Sequence, residues 1–275
     1  PIIEQELESQ FMIAPSIIAG DMSNLEKEVK RCEDGRADYI HLDVMDGQFV
    51  PNKTFDHTKI KDLRPLTLIP FDSHLMINEP VKHIHDYIDA GSDIITVHAE
   101  VCDESSFGEI CDILQSNQIG VGLAINPDTE LPQWSYKFVP LLDQVIIMSV
   151  VPGKSGQKFI ESTHEKIQLI SRDLKQHNFE GYIEADGGVN LENVGSCFED
   201  GARAFVGGSA IVGQSDIRLI IKEFRNNILE SRRRSLIKKA HEIGGKELVN
   251  SWIDLHVVGK KKNSLIQIAK ELGFQ

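Results

Sequence analysis

Short apolar runs recur along this chain, each followed by a polar or glycine-containing turn and then a longer segment with helical spacing, the pattern that a parallel α/β sheet leaves in a sequence. Eight runs read as strands: FMIAPSI, DYIHLDV, LIPFDSHL, DIITVHA, GVGLAI, QVIIMS, GYIEAD and ARAFVGG. Between them the spacing predicts helices over 23–34, opened by Ser23 as N-cap, and over 79–90, 104–116, 162–177 and 190–200. Eight strand–helix units favour a closed barrel over an open doubly wound sheet. The expectation is an α/β fold: a single TIM (β/α)8 barrel over residues 1–230, followed by a basic helical C-terminal extension over 231–275.

The strands carry polar residues where a plain core would not. Ser16, His41, Asp43, His74, His98, Asn126, Ser149 and Asp186 cluster at the C-terminal ends, and Gly207, Gly208 and Ser209 close the last run. In a TIM barrel those ends converge on one face, where active sites sit, whereas inward-facing strand residues are normally branched aliphatics. The segment HLDVMDGQFVPN (41–52) is the most informative. Side chains alternate along a strand, so His41, Asp43 and Met45 share a face and point together into the barrel mouth. Such a pair alone is more often a core histidine beside a turn aspartate. Here FDSHLM (71–76) adds His74 and EADGGV (184–189) adds Asp186. Two imidazoles and two carboxylates suit one divalent ion, zinc, ferrous iron, manganese or cobalt, and are too rich in nitrogen for calcium. Met45, Met76 and Met148 fall near the same ends and would wall the site against water. After the seventh and eighth strands, DGG and VGGSA offer backbone N–H groups at Gly187, Gly188, Gly208 and Ser209, where such barrels often bind phosphate.

Composition narrows the choice. The 275-residue length suits either one barrel of about 250 residues or two smaller units, and 41% hydrophobic with 26% charged residues is an ordinary globular balance. No apolar stretch of about 18 residues offers a membrane span. The opening PIIEQELESQ has no basic region followed by an apolar one, so no secretory signal is read and a cytoplasmic location is expected. Cys32, Cys102, Cys111 and Cys197 have no CxxC spacing, which argues against a disulfide framework and a thiolate metal site. A net charge of −13 disfavours broad nucleic-acid binding. The charge is uneven: residues 231–275 hold ten Lys and Arg against four Asp and Glu, leaving the tail near +6 and the remainder near −19. Its basic helical candidates, RRRSLIKKAHEIG and KKKNSLIQIAKELGFQ, are expected to pack on the acidic barrel or on a neighbouring subunit of a homo-oligomer.

Six motifs, IAPSIIAGD, HLDVMDGQFVPN, HLM, MSVVPGKSGQKF, EADGGV and VGGSAI, closely resemble in sequence and order those of ribulose-phosphate 3-epimerases, over residues 11–225. The resemblance implies a TIM-barrel isomerase of the pentose phosphate pathway that interconverts ribulose 5-phosphate and xylulose 5-phosphate. It implies His41, Asp43, His74 and Asp186 as ligands of one divalent metal, with Asp43 and Asp186 doubling as the catalytic acid–base pair. It further implies substrate contacts from Ser16 and His74, and phosphate contacts from Gly153, Lys154, Ser155, Gly156, Gly187, Gly188, Gly208 and Ser209. The chemistry would remove a proton from one face of C3 and return one to the other through an enediolate. The family loop NPGFGGQ departs here: Val151, Lys154 and Ser155 replace asparagine, phenylalanine and the middle glycine, which bears on lid closure. Near the first strand, AGDM (19–22) stands for the usual SADF. Allulose-6-phosphate 3-epimerases share the motifs, so a six-carbon ketose phosphate is the nearest rival substrate. A non-catalytic sugar-phosphate-binding regulatory protein is the more distant rival.

Overall fold

The computed structural model describes residues 10–257. Eight strands, β1 (Met12–Pro15), β2 (Ile40–Met45), β3 (Phe71–Met76), β4 (Ile94–His98), β5 (Gly120–Ile125), β6 (Gln144–Met148), β7 (Tyr182–Asp186) and β8 (Ala204–Gly207), form one parallel sheet in the order β1-β8-β7-β6-β5-β4-β3-β2. A single further bridge, Ser16 to His41, joins β1 to β2, and the result is a nearly closed TIM barrel, as the sequence pattern predicts. Strands β2, β3, β4 and β6 are buried at every position, because the barrel interior covers one face and the outer helices cover the other.

The outer helices are α1 (Leu25–Asp34), α2 (His57–Leu63), α3 (Ile84–Asp89), α4 (Glu104–Ser116), α5 (Thr163–Gln176), α6 (Val194–Asp200) and α7 (Ile217–Val257). Helix α4 follows its expected span because Asp103 and Ser106 form a reciprocal cap at its start. Three other starts differ from expectation, each for a local reason. Ser23 bonds to Asp21 in a tight turn, and Asn24 caps α1 by accepting from the Lys27 N–H. Pro80 opens a separate 3-10 turn, Pro80–Lys82, with Glu79 forced to a φ of 50°, so only Ile84–Asp89 of the expected 79–90 is α-helical. In 190–193 the Asn190 and Asn193 side chains accept from the backbone N–H groups of Asn190, Glu192 and Asn193, and α6 begins only at Val194.

Phe11, Phe71, Phe107, Phe198, Phe205 and Phe224 are among the largest fully enclosed side chains of the core. Helix α7 buries Ile217, Ile221, Phe224 and Ile228, spaced three to four residues apart, against α6, α1 and β1. It then continues unbroken across position 230, so RRRSLIKKAHEIG shares one helix with the last barrel segment. KKKNSLIQIAKELGFQ lies outside the described residues. All four cysteines are free, and burial pushes each thiol up to about 12, leaving them unreactive. Among the described residues no helix is long and apolar enough to cross a membrane.

Candidate active site

Strand alternation brings the four candidate ligands together at the barrel mouth. His41 and Asp43 project from β2, His74 from β3 and Asp186 from β7, and one donor atom from each falls within 4.8 Å of all the others. His74 Nδ1 lies 3.3 Å from both Asp43 Oδ1 and Asp186 Oδ2, while His41 Nε2 lies 3.4 Å and 3.6 Å from the same two oxygens. Both histidines are fully buried, and the aspartates are 6% exposed. Burial opposes charge on the imidazoles, but the facing carboxylates outweigh it and push both pKa values up. Burial likewise opposes charge on Asp43 and Asp186, and there the imidazoles prevail and hold both carboxyls below the usual range. His41 Nε2 and His74 Nδ1 are buried nitrogens without a hydrogen-bond partner. Two carboxylate oxygens facing two unsatisfied imidazole nitrogens fit a divalent cation of the zinc, iron, manganese or cobalt kind.

Beneath this quartet lies a layer that the sequence reading did not single out. His41 Nδ1 bonds to Asp72 Oδ2 at 2.8 Å, and Asp72 accepts again from Gln144 Nε2 at 3.1 Å. Gln144 in turn donates to Thr96 and accepts from the Tyr182 hydroxyl. Because Asp72 accepts, His41 Nδ1 carries a proton, and Nε2 is the nitrogen left for the quartet. Glu184 is fully buried 3.4 Å from His41 Nδ1, and burial together with the Asp72 charge pushes its pKa well above the usual carboxylate range. On the other side, His74 Nε2 meets His98 Nε2 at 2.8 Å, and His98 Nδ1 meets Glu100 Oε2 at 3.0 Å.

Above the quartet opens a cleft of about 550 Å³. Ser16, whose hydroxyl donates to Asp43 Oδ2, and the methionines Met45, Met76 and Met148 line it. The glycine turns predicted from sequence stand around its rim: Gly187 and Gly188 after β7, and Gly208 and Ser209 at the start of the π-helical turn Gly208–Val212. Gly188 has a φ of 66°, and a Cβ there would collide with the Phe159 backbone nitrogen, so only glycine fits. Its carbonyl accepts from Asn190 and Asn193, while Ser149 Oγ holds the carbonyls of Asp186 and Gly187 at 2.9 and 2.6 Å. Across the opening lies the loop of Gly153, Lys154, Ser155 and Gly156. Asn52, the last residue of the HLDVMDGQFVPN motif, donates to the Gly153 carbonyl at 2.6 Å and ties this loop to the segment after β2. Among the described residues Lys154 is the one Lys or Arg lining the cleft.

The profile of the Ribulose-phosphate 3 epimerase family matches residues 12–212. This chain belongs to the ribulose-phosphate 3-epimerase family. It is 41% identical over 216 residues to the ribulose-phosphate 3-epimerase of Bacillus subtilis (strain 168), across 78% of this chain and 98% of that protein. With the ribulose-phosphate 3-epimerase of Escherichia coli (strain K12) it shares 36% over 220 residues, 80% of this chain and 96% of that one. Among solved structures the barrel resembles KGPDC from Streptococcus mutans, with a TM-score of 0.63 at 9% identity, covering 80% of this chain and 98% of that one. It also resembles 3-keto-L-gulonate-6-phosphate decarboxylase from Vibrio cholerae, at a TM-score of 0.60 and 14% identity over 80% and 98% of the two chains. At such identities the likeness is one of fold alone. As a member of the ribulose-phosphate 3-epimerase family the chain is an isomerase acting on carbohydrates, and the family implies a sugar phosphate as its substrate.

Proposed function

We propose that this epimerase inverts C3 of a ketose phosphate, converting D-ribulose 5-phosphate to D-xylulose 5-phosphate. His41, Asp43, His74 and Asp186 hold one divalent cation in this reading, and Asp43 and Asp186 form the acid–base pair. The observation that carries it is the convergence of the four donor atoms within 4.8 Å, two of them imidazole nitrogens that nothing else satisfies. A cation held there supplies positive charge next to substrate oxygens that turn negative as the carbon acid ionises.

The chain's own residues supply the rest. Asp43 and Asp186 enter from β2 and β7, between which β1 and β8 intervene, so their carboxylates reach the cleft from different sides. With C3 between them, one aspartate accepts its proton while the other donates from the opposite face, and the roles reverse in the back reaction. Turnover needs one of them ionised and the other protonated; the imidazoles hold both below the usual carboxylate range, while the Asp43 charge acts in the opposite direction on Asp186. Ser16 holds Asp43 by hydrogen bond and also contacts substrate, and the methionines exclude water from the enediolate. Backbone donors at Gly187, Gly188, Gly208 and Ser209 cradle the phosphate, and the loop of Gly153, Lys154, Ser155 and Gly156 closes over it. The basic segment 231–275 serves packing or subunit assembly in this scheme.

The test is an assay on D-ribulose 5-phosphate and allulose 6-phosphate before and after chelation, with single metals added back. Loss of activity, recovery by a divalent cation and preference for the pentulose support the reading. Full turnover after exhaustive chelation would remove the cation from it, and faster turnover of the hexulose would replace the substrate.

A further inference from the structure

We infer that His98 and Glu100 act as a positioning arm that fixes the His74 ring with Nδ1 turned toward the quartet. The inference rests on the cation reading above and adds two residues to it, neither of which touches substrate or cation.

The direction of each bond follows from the partner at the outer end. Glu100 presents a carboxylate, which accepts only, so His98 Nδ1 must donate across their 3.0 Å contact. In neutral His98 the other nitrogen, Nε2, then has a free electron pair and accepts. Its 2.8 Å contact with His74 Nε2 therefore requires a proton on His74 Nε2, which leaves the free pair of His74 on Nδ1. That nitrogen is the one lying 3.3 Å from Asp43 and from Asp186 with no hydrogen-bond partner. The chain of dependence runs from a loop carboxylate to a quartet nitrogen without a gap. The arm is also held sterically. The rings of His74 and His98 are inclined by only 20°, and Phe49 packs on His98 with centroids 4.6 Å apart. Glu100 Oε1 meanwhile accepts from the Asn126 N–H at 2.7 Å, which anchors the carboxylate to the loop after β5.

The two histidines thus face the quartet through different nitrogens: His41 through Nε2, set by Asp72, and His74 through Nδ1, set by Glu100 by way of His98. Orienting partners of this kind typically contribute about 10- to 100-fold to metal affinity. The arm ends on a short 3-10 turn, Ala99–Val101, outside every motif singled out in the sequence.

The test strips the full-length chain of metal and titrates it with Co(II), reading affinity and the visible d–d bands together. His98→Leu removes the acceptor for His74, whereas Glu100→Ala breaks the arm at its outer end without touching the barrel interior. Both should weaken Co(II) binding, His98→Leu by about 10- to 100-fold and Glu100→Ala by less, and both should shift the bands. His98→Gln and Glu100→Gln each keep an acceptor and should restore most of the loss, a rescue that a purely structural role would not produce. Either disruptive variant binding Co(II) within about twofold of the parent, with the parent spectrum, overturns the arm while leaving the cation reading intact. A parent chain that binds no Co(II) would overturn both.

Discussion

Replacing Asp186 with asparagine separates proton transfer from everything else Asp186 does. The amide is close to isosteric and keeps an oxygen able to hold a cation, but it neither takes nor gives a proton near neutral pH. Asp186 is 6% exposed, so bulk water has little access to its place. Asp43 is the other carboxylate among the described residues lining the cleft, and in the proposed reaction it works on the opposite face of the substrate. Loss of one positioned acid–base group costs about 100- to 10,000-fold in rate, or about 3–5 kcal/mol of barrier at about 1.4 kcal/mol per factor of ten. The assay is run at saturating divalent cation, so that weaker binding does not pass for lost chemistry. Alongside the rate of inversion, deuterium uptake at C3 is followed by NMR in heavy water. With Asp43 intact, one epimer should exchange its C3 proton with solvent while failing to invert. An Asn variant that still inverts C3 within about tenfold of the parent rate refutes the two-aspartate scheme.

Two further outcomes follow from the charges at the site. The facing carboxylates raise the pKa of His41 and of His74, and a nitrogen must shed its proton to take a cation, so affinity falls as pH drops through neutrality. The slope should approach about tenfold per pH unit for each proton displaced, with proton release visible as a buffer-dependent heat in calorimetry; affinity that stays flat between about pH 6 and about pH 8 contradicts it. At the rim, Lys154→Ala should raise KM for the phosphorylated ketose by about 3- to 10-fold, leave kcat within about twofold and flatten the dependence of KM on salt; an unchanged KM at low salt removes Lys154 from phosphate recognition.

The barrel was legible because two periodicities alternate without interruption, and the quartet because strand alternation puts His41 with Asp43 and exposes single polar residues at the ends of β3 and β7. The same alternation also carries the layer beneath. Asp72 stands two residues before His74 and Glu184 two before Asp186, on the same faces, so a reading extended one step down each strand would have met them. Glu100 and Asn52 had no such signal: what they do is decided by His74 and by the Gly153 carbonyl, groups remote in sequence. Helix α2 escaped notice because its seven residues offer only Ile60 and Leu63 as a buried stripe. The shift to basic composition at 231 does not interrupt α7, since backbone hydrogen bonding along a helix is indifferent to the sign of its surface charge.

The polar layer under the quartet bears on any attempt to transplant this chemistry. A designer who copied only His41, Asp43, His74 and Asp186 into another eight-stranded scaffold would set them on an aliphatic floor, with nothing to choose which ring nitrogen faces inward. Each imidazole would then be free to turn over, and a loosely held constellation is a common way for installed sites to fail. The portable unit is two tiers deep: Asp72 and Gln144 must travel with His41, and the inferred His98–Glu100 arm with His74.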